Sequence, residues 1–241
     1  MKILTGKEKT PRKCLLYGTH GIGKSTWAAN APGAVFMNLE DGLAGIDCQR
    51  SEHLTTLDQV FEFLNWLIAA EHEFFTLNVD SLDWLEAIIH AVVAENAGKK
   101  HVSDIGYGAG YKAALAIWDR VMTLFEMLRS DRKMSIILLS HSNVKRFESP
   151  DQDSYDRYQP ALHDTASSMW QEWADEVLFA SYRVFIRKED LGFDKERAIA
   201  VDGDERYIRT QESPAVLAKN RLSMPAEIPF TWSAYQDFFP K

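Results

Sequence analysis

Gly18-Thr19-His20-Gly21-Ile22-Gly23-Lys24-Ser25 is a G-x-x-x-x-G-K-S string between the apolar run Cys14-Leu15-Leu16-Tyr17 and the helix-compatible stretch Thr26–Asn30. Strand, glycine-rich turn and helix in that order form the loop that wraps phosphates. Glycine at 18, 21 and 23 permits backbone angles closed to other residues and lets amides approach an anion. The amides from Thr19 through Thr26 then lie at the positive end of the helix, where they cradle the α- and β-phosphates. Lys24 stands where a cation reaches the β- and γ-phosphates, and Ser25 where a hydroxyl ligates Mg²⁺. The string predicts a nucleoside-triphosphate site.

Composition bounds the rest. The chain has 241 residues, 46% apolar and 26% charged, enough for one sizeable domain with a real core. No apolar run approaches the roughly 20 residues needed to span a bilayer. The start, MKILTGKEKTPRK, is basic without a long apolar segment behind it, and does not read as a secretory signal. Two cysteines, Cys14 and Cys48, make neither a disulfide framework nor a four-cysteine zinc site; they predict a reduced, cytoplasmic protein. A net charge of −8 disfavours non-specific attraction to nucleic acid over the whole surface, while leaving room for a local basic groove.

Strand-like and helix-like segments alternate, which predicts an α/β fold with a mainly parallel central sheet and helices on both faces. After the phosphate loop come a strand at 34–39, an amphipathic helix from Leu57 to Ile68, and a strand at 74–79 ending at Asp80. A second amphipathic helix runs from Leu82 to Val93, a third from Ile117 to Leu128, and a fourth strand over 135–139 ends at Ser140-His141. Two long insertions interrupt this order, 96–111 and 142–165. Strands at 177–186 and 198–201, paired through a turn at 201–204, predict an antiparallel C-terminal part. The organisation expected is a single domain, with a tail at 1–12 and an extension over 202–241.

Chemistry is expected at the strand ends, where open parallel sheets bind ligands. Asp80 fits two roles, a Mg²⁺ ligand beside Ser25 and an N-cap for the helix after it, and Ser81 can also cap. Glu40, just past the second strand, fits the general base that polarises an attacking water, with Asp41 as competitor. Asp83 and Asp47 end no apolar strand and rank lower. Ser140 and His141 fit a γ-phosphate sensor that orders the segment after it. Lys219 and Arg221, in K-x-R spacing, point the same way in an extended chain and fit a phosphoryl-transfer stabiliser supplied to a neighbouring subunit. A small-molecule kinase is a further reading, resting on Arg183, Arg187 and Arg197.

Together these residues resemble the RecA-like ATPases and, more narrowly, phage ATP-binding proteins of the minimal RecA-type annealing and recombination class. The resemblance spans about Pro11 to Arg221. It implies ATP and Mg²⁺ as ligands, catalysis by Glu40 and Lys24, nucleotide sensing at His141, and a trans finger of Lys219 and Arg221. It also implies a homo-oligomer, ring or filament, working on single-stranded DNA in the host cytoplasm, with a single-strand-binding protein as a further partner. His141 departs from the glutamine of that class, and the resemblance implies a bare core ATPase that depends on its loops for any DNA contact. The two insertions fall where RecA-like recombinases carry DNA-binding loops. Lys99, Lys100, His101, Tyr107, Tyr111 and Lys112 mix cations with aromatics, as sequence-tolerant single-strand binding requires. In the second insertion Lys145, Arg146, Phe147, Tyr155, Arg157 and Tyr158 are opposed by Glu148, Asp151, Asp153, Asp156 and Asp164, and docking of a protein partner fits equally well.

Overall fold

Side chains alternate between the two faces of a strand, and the five central strands use both faces for core. The computed structural model describes Ile3, Thr5, Gly6 and residues 10–148, 153–190 and 196–239; of 184–190, 196–202 and 204 only the backbone course is described. Ahead of the first insertion lie β1 (Lys13–Gly18), α1 (Lys24–Ala28), β2 (Ala34–Asn38), β3 (Gln49–Arg50), α2 (Leu57–Ala69), β4 (Thr76–Asp80) and α3 (Leu82–Asn96). Then follow α4 (Ala109–Asp131), β5 (Ser135–Phe147), β6 (Tyr155–Pro160), α5 (Asp164–Trp173), β7 (Glu176–Asp190), β8 (Glu196–Arg209), β9 (Lys219–Asn220), β10 (Glu227–Pro229) and α6 (Trp232–Tyr235).

Leu15, Val35, Leu77, Ile136 and Val177 pack with α2, α3, α4 and α5 on one face of the sheet. Their neighbours Leu16, Phe36, Ile137 and Leu178 pack on the other face, with Trp27 of α1 and Tyr235 of α6. Each fully buried aliphatic side chain contributes about 1.5–3 kcal/mol, so a one-residue slip in any central strand would cost several of these at once. At the entry to α2, the Thr56 side chain accepts from the Gln59 amide while the Gln59 side chain reaches back to the Thr56 amide. Such caps contribute about 1 kcal/mol.

The sheet runs β10-β8-β7-β1-β5-β4-β2-β3. From β7 to β3 the pairings are parallel, and β8 and β10 add antiparallel strands at the C-terminal side. This is the mainly parallel α/β sheet that the alternation predicts, with antiparallel strands at the C-terminal side. The loop strand β1 lies between β5 and β7, so chain direction diverges there and the crevice beyond its carboxyl end is the expected ligand site.

The sequence reading needs four corrections. The insertion at 142–165 is not a loop: β5 continues through it and pairs antiparallel with β6 from Ser142↔Pro160 to Phe147↔Tyr155. Both faces of this hairpin carry polar residues, so no apolar alternation marked it. The predicted turn at 201–204 is interior to β8, which pairs antiparallel with β7 from Phe179↔Arg209 to Asp190↔Glu196 with a register shift between Tyr182 and Val184. The first insertion ends early, because two short 3-10 turns lead into α4 at Ala109. Edge strand β3 was not foreseen; two exposed residues give no pattern. Asp151 and the side chains of Arg187 and Arg197 lie outside the described residues. Among those residues, no helix is long and apolar enough to cross a membrane.

Candidate nucleotide site

The phosphate loop leaves β1 at Gly18, and its glycines serve two different ends. Gly18 is needed for proximity rather than for its backbone angles, since a Cβ there would drive into the Ala180 carbonyl of β7. Gly21 and Gly23 adopt φ of 72° and 101°, a region costly to residues with a Cβ. Lys24 is 7% exposed, and its Nζ donates to the Gly18 and Thr19 carbonyls at 3.1 and 3.0 Å. Burial pulls its pKa below the ordinary lysine value, opposed by Asp83, Asp80 and Glu40. Three carboxylates thus act electrostatically on one cation at the foot of the loop.

Asp80 is the last residue of β4 and nearly inaccessible, at 4% exposure. Burial raises its pKa, and a hydrogen bond from the Ser25 side chain works against that rise. The N-cap position of α3 belongs to Ser81, whose hydroxyl makes no capping bond and finds no partner among the described residues. The two readings of Asp80 therefore separate: it belongs to the strand, against Ser25, and not to the cap. A hard dication takes oxygen ligands and keeps several waters, needing only one or two carboxylates besides phosphate oxygens. The Ser25 hydroxyl and the desolvated Asp80 carboxylate fit that donor set. Among the described residues there is no cluster of three or more His, Cys, Asp or Glu side chains for a cation needing a full protein cage.

Glu40 follows β2 by two residues, in a segment fixed by the Leu39 amide donating to the Asp80 carbonyl at 2.9 Å. Its Oε1 lies 3.6 Å from His141 Nε2. Asp41 is exposed and sits at φ 56°, turned into a tight bend. His141 is held from three sides. Its Nδ1 lies 2.8 Å from Asp83 Oδ2, its amide donates to Asp83 Oδ1 at 3.0 Å, and its ring stacks on His20 of the phosphate loop at 3.8 Å. Burial would raise Asp83, but the hydrogen bonds from the His141 ring and amide outweigh it and hold the carboxyl below its ordinary value. An ionised Asp83 keeps the proton on Nδ1 and turns Nε2 toward Glu40. Ser140 is fully buried, its hydroxyl donating to the His141 carbonyl.

Asp83 was passed over in the sequence because it ends no strand. The available signal was the spacing Asp80-x-x-Asp83: an acid one turn into a helix that starts at a strand end lies beside that end.

Lys219 and Arg221 lie elsewhere. β9 pairs with Glu176 and Val177 at the start of β7, whereas Gly18 lies against Ala180 further along it. Lys219 Nζ donates to the carbonyls of Gln171, Glu172 and Ala174 at the end of α5. Arg221 lies 3.4 Å from Asp175 and keeps most of its side chain in solvent. Neither joins the phosphate loop of its own chain, and Lys219 serves as a C-terminal cap.

The two insertions differ in what they leave free. Lys99, Lys100, His101 and Lys112 are exposed, and Tyr107 stands fully in solvent. In the hairpin, Lys145 is bound to the Leu162 carbonyl and Asp164, and Arg157 is buried against Glu212. Arg146 remains exposed beside exposed Glu148, Asp153 and Asp156.

Residues 10–222 match a known family, the AAA domain (AAA_24). No curated protein matches the chain. The match runs from just before β1 to just after Arg221, taking in the loop, Asp80, Glu40 and His141. By its sequence and by its fold, the chain belongs to the AAA domain family of P-loop ATPases.

Proposed function

We propose that the protein binds Mg·ATP and hydrolyses it, as a RecA-like ATPase acting on single-stranded DNA in recombination or annealing. The observation that carries the catalytic part is the line Asp83–His141–Glu40 beside the phosphate loop. Lys24 exchanges two backbone carbonyls for β- and γ-phosphate oxygens, a gain because bonds between ionised partners are roughly twice as strong. Ser25 and Asp80 would hold the metal, which would supply charge neutralisation on the phosphates. Glu40 accepts a proton from the attacking water, and His141, held in place by Asp83, packs beside that carboxylate. Arg221, reaching across a homo-oligomer interface, would complete a neighbour's site.

The DNA part is supported by the exposed cations and Tyr107 of the first insertion, since aromatic stacking with phosphate contacts suits single strands. A second reading is favoured by the hairpin: two of its cations are consumed internally and its exposed acids remain. On that reading ATP turnover sets a surface that docks a protein, such as a single-strand-binding protein, without direct DNA contact. The deciding experiment is steady-state ATP hydrolysis with and without single-stranded DNA, with Lys24→Ala as blank. Stimulation by single strands that disappears as salt rises is expected. Turnover indifferent to DNA supports the protein-docking reading, and undiminished turnover by Lys24→Ala overturns the ATPase assignment.

A further inference from the structure

Glu176 opens β7 with no solvent exposure, deeper than any other acid among the described residues. Alternation along β7 sends Val177 and Phe179 to one face of the sheet and Leu178 and Ala180 to the other. Glu176 therefore falls on the second face, in register with Cys14 of β1. Residues 230–239 cover that face, and they lie beyond the residues that match the family. We infer that this segment is a strap whose closure over α1 is gated by one proton on Glu176, closed while the carboxyl is neutral and loosened once it ionises.

Packing shows what the strap holds. Phe230, Trp232 and Tyr235 build an aromatic wall over Trp27, with Trp232 edge-on to it at 4.8 Å and Tyr235 at 5.0 Å. Trp27 belongs to α1, the helix that opens with Lys24 and Ser25, so the wall backs the helix behind the phosphate loop. Two polar ties fasten the segment to β1 and β7. Arg12 Nε donates to the Phe238 carbonyl at 3.2 Å, and the Tyr235 hydroxyl donates to Glu176 Oε1 at 2.5 Å in the interior. Tyr235 joins the two halves of the device, since its ring packs on Trp27 while its hydroxyl reaches Glu176.

The surroundings of Glu176 favour its neutral form. Oε2 has no partner among the described residues, and a buried carboxylate with one uncharged donor is far costlier ionised than neutral. Cys14 and Tyr235 are weak acids themselves, and burial pushes both further up. Asp175 also opposes a charge on Glu176, while Arg12 and Lys219 favour one. Those two cations are committed elsewhere, Arg12 to the Phe238 carbonyl and Lys219 to the end of α5. Burial, opposed first by the Tyr235 hydrogen bond, raises Glu176 from 4.5 to about 7. Once the strap lifts and water enters, the carboxyl returns toward its ordinary 4.5. Closure is thus strongest below pH 4.5 and weakens as pH rises through 7, opening increasing up to about tenfold per pH unit before it levels off.

Amide hydrogen exchange from about pH 5 to pH 8, corrected for the intrinsic pH dependence of exchange, tests the strap on peptides spanning 230–239, with α2 as reference. In the unmodified protein, protection of 230–239 should fall by up to about a hundredfold between pH 5 and 7 and then level off, while α2 keeps its own. Glu176→Gln keeps the shape and cannot ionise, so its profile should be flat. Tyr235→Phe leaves a ring on Trp27 but removes the donor that favours the charged form, so its decline should run on past pH 7. Should Glu176→Gln fail to fold, the extended profile of Tyr235→Phe decides alone. A flat profile in the unmodified protein, a decline shared equally by α2, an undiminished slope in Glu176→Gln, or a Tyr235→Phe decline that ends where the unmodified one does, overturns the strap.

Discussion

Asp83 and Glu86 stand three residues apart on one face of α3, both largely buried, and the protein treats them in opposite ways. Asp83 receives hydrogen bonds from the His141 ring and amide and is held below its ordinary pKa. Glu86 receives only the His163 amide, shared between its two oxygens at 3.1 and 2.9 Å, and burial pushes it from 4.5 up to about 7. One turn of helix separates a carboxylate built to stay charged from one that takes a proton near neutrality. Depth of burial is similar; the partner decides. The ionised member faces the phosphate loop, while the other lies at the root of the β5–β6 hairpin, next to Lys145 and Asp164.

The sharpest test of this contrast lies on the charged side. Glu40→Gln keeps the shape beside His141 but cannot accept a proton. Its kcat should fall roughly 10²-fold with ATP binding retained, measured by steady-state kinetics and calorimetry. Unchanged turnover would move the base to another residue. Asp83→Asn should follow with a loss of about tenfold in kcat and little change in KM, because it disturbs only the tautomer and aim of His141. Asp83 is a positioning residue, so its signature is an altered pH–rate profile for kcat. If Glu86→Gln slowed turnover while Asp83→Asn did not, the contrast would be inverted and catalysis would draw on the hairpin root.

Legibility in the sequence follows the same divide. The parallel core could be read because each strand buries both faces or ends in an acid, and α2 and α3 carry an unbroken apolar stripe. Glu40 and Asp80 stand out as candidates because each comes at or just past the end of such a strand. Asp83 ranks low in the sequence because its setting comes from His141, 58 residues away. The β5–β6 hairpin reads as a loop in the sequence because its stability comes from ladder hydrogen bonds and ties such as Lys145 to Leu162. Lys219 looked like a free cation because the carbonyls it caps lie some 45 residues earlier. The aromatic wall at 230–236 could not be placed at all, since only folding brings Trp232 against Trp27.

The smallest effect expected is also the one that reads the contrast most directly, because the two acids should give stability opposite slopes with pH. Glu86 rises from 4.5 in the unfolded chain to about 7 in the fold, so its protonated form is the one the fold favours. That contribution is complete below pH 4.5 and is lost as pH rises through 7, at most on the order of 3 kcal/mol. Removing the charge with Glu86→Gln should therefore help more at pH 8 than at pH 5, and the melting temperature of the variant should gain on the unmodified protein across that interval. Asp83 is shifted the other way, so its contribution is present above its ordinary value of 3.8 and lost as pH falls through its lower folded value. Asp83→Asn should cost stability at neutral pH, with the deficit shrinking in acid. Thermal unfolding of both variants from pH 3 to pH 8 separates the two slopes. Parallel curves would mean that His141 and His163 hold their acids alike, and that the first turn of α3 is no different from the second.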